Sequence, residues 1–430
     1  MSLDLILRNA TLPDGRRGVD IGCAAGKIRV VGPALDATAA TEIDAGGRLV
    51  SPPFVDPHFH LDSALSLGMP RLNQSGTLLE GIAIWSELKP QLTQEAILAR
   101  AEAYCDLAIA QGLLAVRTHV DICDDRLLAV EALASLRQRI KPWLDLQLVA
   151  FPQDGFLRYP RAAENLARAT RLGIDVIGGI PHFERTMADG AASVRALCEI
   201  AAATGLPVDM HCDETDDPLS RHVETLAAET VRLGLQGRVT GSHLVSMHSM
   251  DNYYVSKLIP LMVEAELRVV ANPNINITLQ GRFDTYPKRR GMTRVAELRA
   301  AGLTVAFGQD CVMDPWYPLG NADMLDVANM GLHVGQLTGR DAMKFCFEAV
   351  TTNAAKVMGL EGYGLAEDCN ADFVILDAAD PIEALRLRAT RLFVIRRGKV
   401  IARTPARAAE LRVEGRPASV NPASYAPNVA

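Results

Sequence analysis

The sequence predicts an α/β protein whose large middle region fits a (β/α)8 barrel and whose two ends build one small β domain. Three observations lead there. Short apolar runs alternate with Ala/Leu/Glu/Arg-rich stretches through the middle of the 430-residue chain. Both ends are rich in strand-like runs, a character the middle lacks. Polar residues that suit metal chemistry gather at the carboxyl ends of the apolar runs.

At the amino end, Leu3 to Arg8, Val19 to Gly22 and Lys27 to Val31 read as strands separated by Pro-Asp-Gly and Ala-Gly-Lys turns. At the carboxyl end, Asp372 to Leu376 and Leu392 to Arg396 are strand candidates, and Arg397-Gly398-Lys399 suits a hairpin turn. One domain made of residues 1–52 and 366–430, with 53–365 inserted, accounts for both. In the middle, strands are expected at Phe54-Val55, Leu114 to Val116, Leu144 to Phe151, Ile174 to Ile177, Leu206 to Met210, Val239 to Ser242, Arg268 to Ala271 and Thr304 to Phe307. Helical segments such as Gln94 to Gln111 and Ala191 to Thr204 lie between most of them. Eight strand–helix units fit a barrel with insertions. A doubly wound open sheet gives the same alternation, so periodicity alone does not decide.

Composition narrows the function classes. The chain is 49% hydrophobic and 22% charged, ordinary for a globular protein and unlike a disordered one. Its net charge is −7, so it lacks the basic footprint of a nucleic-acid binder. The run Pro287-Lys288-Arg289-Arg290 reads as a paired loop face. No stretch reaches the roughly 18 apolar residues of a membrane span, and Asp4 breaks any signal-peptide pattern, so a cytoplasmic location is expected. The eight cysteines are scattered without a C-x-x-C and read as reduced core residues.

The first barrel strand ends His58-Phe59-His60, and residues two apart on a strand face the same side. The fifth ends His211-Cys212-Asp213-Glu214, the sixth His243, and the eighth Asp310. A barrel carries its active site at that face. His58, His60, His211 and Asp310 form a ligand set for one divalent metal ion per subunit, Zn²⁺ or Fe²⁺, with room for a water. Glu214 suits a proton shuttle and His243 suits orienting the water, and His243 and Asp310 together hold and deprotonate it.

Taken together, these residues resemble the amidohydrolase superfamily. The resemblance implies a (β/α)8 TIM barrel with a β-sandwich formed from both termini. Binuclear members use a carbamylated lysine after the fourth strand. Here Gly178-Gly179-Ile180-Pro181-His182-Phe183-Glu184 has no lysine, and the H-x-x-E after strand five matches the mononuclear deaminase branch. Longer segments resemble the bacterial cytosine deaminases: Asn73 to Leu78, Val116 to Asp121, Val149 to Gln153, His211 to Glu214, Gln280 to Gly291 and Asp314 to Gly320. The resemblance spans residues ~52 to ~335 and is only generic at the termini.

It implies hydroxide attack at C4 of a free pyrimidine base, with Glu214 protonating N3 and ammonia leaving. It further implies Gln153 as the amide that pairs with the ring edge, Leu78 as a backbone carbonyl contact and Trp316 as the apolar cap. His119, His182 and Arg282 are assigned no role in the reaction. A homo-oligomer is implied, a hexamer among the forms, with neither nucleic acid nor membrane as partner.

One departure stands out. These deaminases usually end strand eight in Asp-Asp, and here it reads Asp310-Cys311. A thiol behaves as a small hydrophobe, so this exchange makes room for a methyl group at C5. The expected substrate is 5-methylcytosine and/or cytosine. The alternatives are another aminated heterocycle (isocytosine, creatinine, a pterin or an s-triazine) and, remotely, a non-catalytic assembly scaffold.

Overall fold

The computed structural model describes residues 2–425; Met1 and residues 426–430, which the expected β domain includes, lie outside the described residues. The amino end forms β1 (Leu3–Ala10), β2 (Val19–Ala24), β3 (Lys27–Pro33), β4 (Ala39–Asp44) and the short β5 (Leu49–Ser51). Eight strands follow: β6 (Phe54–Phe59), β7 (Leu113–Asp121), β8 (Asp145–Phe151), β9 (Val176–Gly179), β10 (Val208–Cys212), β11 (Val239–His243), β12 (Arg268–Ala271) and β13 (Thr304–Phe307). The carboxyl end adds β14 (Phe373–Leu376), β15 (Arg391–Arg396), β16 (Lys399–Arg403) and the small hairpin of β17 (Ala409–Glu410) and β18 (Ser419–Val420).

Strands β6 to β13 make one parallel sheet in sequence order. The ring is stitched shut beyond the strand ends, where Asp310 N–H donates to His58 O at 2.9 Å and His60 N–H donates to Asp310 O at 3.0 Å. This is a (β/α)8 barrel, and the open-sheet alternative falls. Strands β6, β7, β9, β10 and β11 are buried along their whole length, as parallel strands covered by helices must be. All eight expected barrel strands are present. β6 and β7 run further than expected, which draws His58 and His119 inside the strands.

The barrel interior is polar in one layer. The Arg117 guanidinium donates to Asp209 Oδ2 at 2.9 Å, Gln147 Oε1 at 3.0 Å and the Val357 carbonyl at 3.1 Å. Ser242 Oγ donates to the other Asp209 oxygen at 2.7 Å. With its groups paired in this way, the buried pair avoids the usual desolvation deficit.

The terminal strands form two four-stranded sheets, ordered β3-β2-β1-β4 and β16-β15-β14-β5. Their facing side chains, including Leu5, Leu7, Ile21, Phe373, Ile375 and Ile395, share one buried cluster, so the unit is a sandwich. Its second sheet needs both chain ends, because β5 pairs with β14 through Val50 and Ile375. β4 and β5 were not expected from the sequence. β4 is largely exposed and shows no alternation, and β5 is three residues long. The expected hairpin turn is the two-residue loop Arg397-Gly398, with both φ angles positive, between paired Arg396 and Lys399.

No helix among the described residues is long and apolar enough to cross a membrane. All eight cysteines are free; seven are buried and Cys369 is half-buried. In the 287–290 run, Lys288 donates to the Gly281 and Asp284 carbonyls, Arg289 pairs with Asp284, and Arg290 reaches the Val334 carbonyl.

Candidate active site

The carboxyl ends of β6, β10, β11 and β13 bring five buried groups together. His58 Nε2 and His60 Nε2 lie 3.2 and 2.9 Å from His211 Nε2. Asp310 Oδ1 lies 3.5 Å from His58 Nε2 and 3.3 Å from His60 Nε2. Four ligands of one tetrahedral ion, at bonds of about 2.0–2.1 Å, would stand about 3.3 Å apart. Neutral imidazole nitrogens facing one another at this distance cannot all be satisfied by protons. The donor set therefore fits a divalent ion. Donor atoms of His58, His211, His243 and Asp310 also all lie within 4.8 Å of one another. His243 thus stands beside the ligand group.

Local backbone explains the placement. Asp213, His243 and Asp310 all have positive φ (53°, 70° and 68°), a conformation costly for non-glycine residues and found where a site over-determines it. Asp213 anchors the His211–Glu214 turn. Its carboxylate accepts from Ser220 Oγ at 2.7 Å, His222 Nδ1 at 2.8 Å and the backbone N–H of Val223 at 2.8 Å, at the start of the helix His222–Leu233. Phe151, at the end of β8, stacks on His211 with ring centroids 4.1 Å apart.

Glu214 is 6% exposed. Burial and then the Asp310 carboxylate push its carboxyl well above the ordinary range, which favours the protonated form. His211 and His243 are pulled well below the usual imidazole value, chiefly by burial. Burial opposes ionisation of Asp310, but the His243, His58 and His60 imidazoles outweigh it and hold the carboxyl low. A neutral acid thus stands beside a carboxylate, an arrangement able to deliver and accept a proton in one reaction.

The cavity over this centre is lined by His60, Leu78, Gln153, His211, Glu214, Asp310, Cys311 and Trp316, all expected except for the apolar residues that complete it. Those are Ile82, Phe151, Ile180, Phe183, Ile275 and Leu279, together with His182. Apolar residues give no chemical signal in a sequence, because a pocket wall and a core look alike there. Cys311 is 4% exposed, and burial holds its thiol neutral. Trp316 leans over Gly81 on the helix Leu78–Leu88, where a Cβ would sit 2.4 Å from its ring.

His119 is buried against His58 and His211 with both ring nitrogens unpartnered, and stays out of the cavity. Asn272 and Asn276, missed in the sequence, surround His243. The alternation Asn272-Pro273-Asn274-Ile275-Asn276 was the available signal.

A family model described as the amidohydrolase family matches residues 41–416. The chain is 44% identical to 5-methylcytosine deaminase from Klebsiella pneumoniae, solved with 5-fluorocytosine. That match covers 94% of this chain and 98% of the other, at a TM-score of 0.91. It is 30% identical to pterin deaminase of Rhizobium rhizogenes, covering 93% of this chain and 94% of the relative. It is 29% identical to N-isopropylammelide isopropyl amidohydrolase of Pseudomonas sp., covering 93% and 97%.

Proposed function

The chain belongs to the amidohydrolase family, and from that premise we propose that it is a hydrolytic deaminase of free cytosine-type bases, with 5-methylcytosine its preferred substrate. The observation that carries the pyrimidine assignment is the likeness, over nearly the full length of both chains, to the Klebsiella 5-methylcytosine deaminase. The pterin and ammelide relatives are less similar and keep another aminated heterocycle as the second reading.

His58, His60, His211 and Asp310 hold one divalent ion, zinc or iron, a donor mix that suits either. When bound, the ion supplies a Lewis-acid centre at which water loses a proton near neutral pH. Gln153 offers a carbonyl and an N–H together, which suits the donor–acceptor edge of a pyrimidine. The Leu78 carbonyl has a lone pair left beside its helical bond. Glu214 delivers its proton to N3 as the C4–O bond forms, then takes the proton of the new C4 hydroxyl and passes it to the amino nitrogen as the C4–N bond breaks, and is reprotonated from Asp310 for the next cycle. Ammonia leaves, and the product is thymine or uracil. Asp310 takes the proton that water gives up.

Cys311 replaces a buried carboxylate by a neutral thiol, so a C5 methyl group meets a small apolar side chain. One methyl filling such a spot is worth about 1.5–2 kcal/mol, so the preference is tens-fold and not absolute. The same reading includes a catalytic barrel at 53–365, a two-ended β domain at 1–52 with 366–430, a homo-oligomeric assembly such as a hexamer, and a cytoplasmic location.

The test is ammonia release from metal-loaded enzyme with 5-methylcytosine, cytosine, a pterin and an N-alkylammelide side by side. The expected order puts 5-methylcytosine first in kcat/KM. Turnover of the pterin or ammelide alone would replace the pyrimidine by that ring.

A further inference from the structure

The two nitrogens of His243 face different partners. Nδ1 lies 3.0 Å from Asn276 Nδ2 and 3.4 Å from Glu214 Oε1, and Nε2 lies 3.7 Å from Asp310 Oδ2. A neutral imidazole carries one N–H, and the partner of one nitrogen decides which nitrogen bears it. The orientation of the Asn276 amide is set independently. The backbone N–H of Asn272 points at Asn276 Oδ1 from 3.2 Å, and a backbone N–H only donates. That atom is therefore the oxygen, and the end of the amide facing His243 Nδ1 is the NH₂ donor. A proton on Nδ1 would set donor against donor.

Asn272 does not compete. Its Nδ2 is 3.3 Å from Nδ1 and 3.2 Å from Nε2. Near-equal distances put it over the ring face, off both lone-pair directions. It sits there because Gly308 leaves room: a Cβ at Gly308 would lie 2.4 Å from Asn272 Oδ1.

We propose that Asn276 is a positioning residue that holds His243 as the Nε2–H tautomer, so that His243 donates a hydrogen bond toward Asp310 and the reacting water and does not take the water's proton. The proposal rests on the deaminase reading of this centre. It departs from the expectation that His243 helps deprotonate water. The proton balance then falls to the carboxyl groups: the water's proton goes to Asp310 as Glu214 gives its own to N3.

The test is nitrogen NMR of the ¹⁵N-histidine-labelled holoenzyme, with the His243 signals identified by their loss in His243→Gln. A protonated-type resonance at Nε2 and an unprotonated type at Nδ1 are expected. Asn276→Asp places an acceptor at the same point and should reverse the pattern. It should also lower kcat about 100-fold, with KM within about threefold and metal content unchanged. A proton on Nδ1 in the unmodified enzyme overturns the proposal, as does full kcat in Asn276→Asp. If that variant does not fold, the tautomer of the unmodified enzyme decides. If no pyrimidine is turned over, the deaminase reading fails while the tautomer is still read directly.

Discussion

Trp85 Nε1 donates to Asp121 Oδ2 at 2.8 Å, and Lys89 Nζ reaches the same oxygen at 2.8 Å. Lys89 also pairs with Asp154 at 2.9 Å, one residue after Gln153. Its ammonium is held above the usual lysine range because the two carboxylates outweigh the opposing effect of burial. The latch ties the helix Leu78–Leu88, one wall of the cavity, to the loop that carries Gln153. Lys89→Met leaves two carboxylates facing each other without a cation. A loss of about 3 kcal/mol in stability is expected, with a several-fold rise in KM. Trp85→Phe removes one charge-assisted bond and should cost about 1.5–3 kcal/mol. Thermal unfolding and steady-state kinetics check both; unchanged KM in Lys89→Met would show that the latch does not govern Gln153.

Glu214 stands beside the ligand group and outside it. Glu214→Gln should lower kcat by about 10²–10⁴-fold, the range of a general acid–base contribution, and leave metal content at the level of the parent. Metal analysis paired with single-turnover ammonia release reads both. Retained turnover would assign the proton transfer elsewhere.

Cys311→Asp restores a second buried carboxylate at the expected C5 position. The ratio of kcat/KM for 5-methylcytosine over cytosine should fall by roughly 10- to 100-fold. Competition between the two bases in one reaction measures that ratio directly. An unchanged ratio would mean that another part of the wall sets the preference.

Asp314 gives the stability a pH dependence. Its carboxyl is buried, and burial pushes its pKa from 3.8 up to about 6 despite the N–H groups of Trp316 and Tyr317. Between these values the folded chain keeps a proton that the unfolded chain has lost. Stability therefore falls as pH rises from about 4 to about 6, by about 3 kcal/mol, and is level above. Asp314→Asn titrates nothing there. The Tm of the parent should drop by several degrees relative to the variant between pH 4.5 and 7. A constant offset would mean that Asp314 does not titrate in that window.

The sequence by itself determined the eight barrel strands and their order, while closure of the ring was decided by the backbone bonds between Asp310 and His58 and His60. A parallel strand buried on both faces reads as a short apolar run, and eight such runs, from Phe54 to Phe307, appear in order. It also determined the chemistry at the strand ends. His58 and His60 share a face through the two-residue period of a strand, and His211, Glu214, His243 and Asp310 each close an apolar run. The exposed edge strand Ala39–Asp44 and the three-residue Leu49–Ser51 were not legible, because neither carries a pattern that burial would impose.

Tertiary structure alone decided how these groups meet. It brought a donor atom of His243 within 4.8 Å of those of His58, His211 and Asp310, and it set Asn276 against His243 across 33 residues of chain and Lys89 against Asp154 across 65. Periodicity reports which face a side chain occupies. A hydrogen bond between distant segments depends on the register of separate strands and on the backbone angles of the turns between them. The positive φ at Asp213, His243 and Asp310 is not encoded in any local pattern.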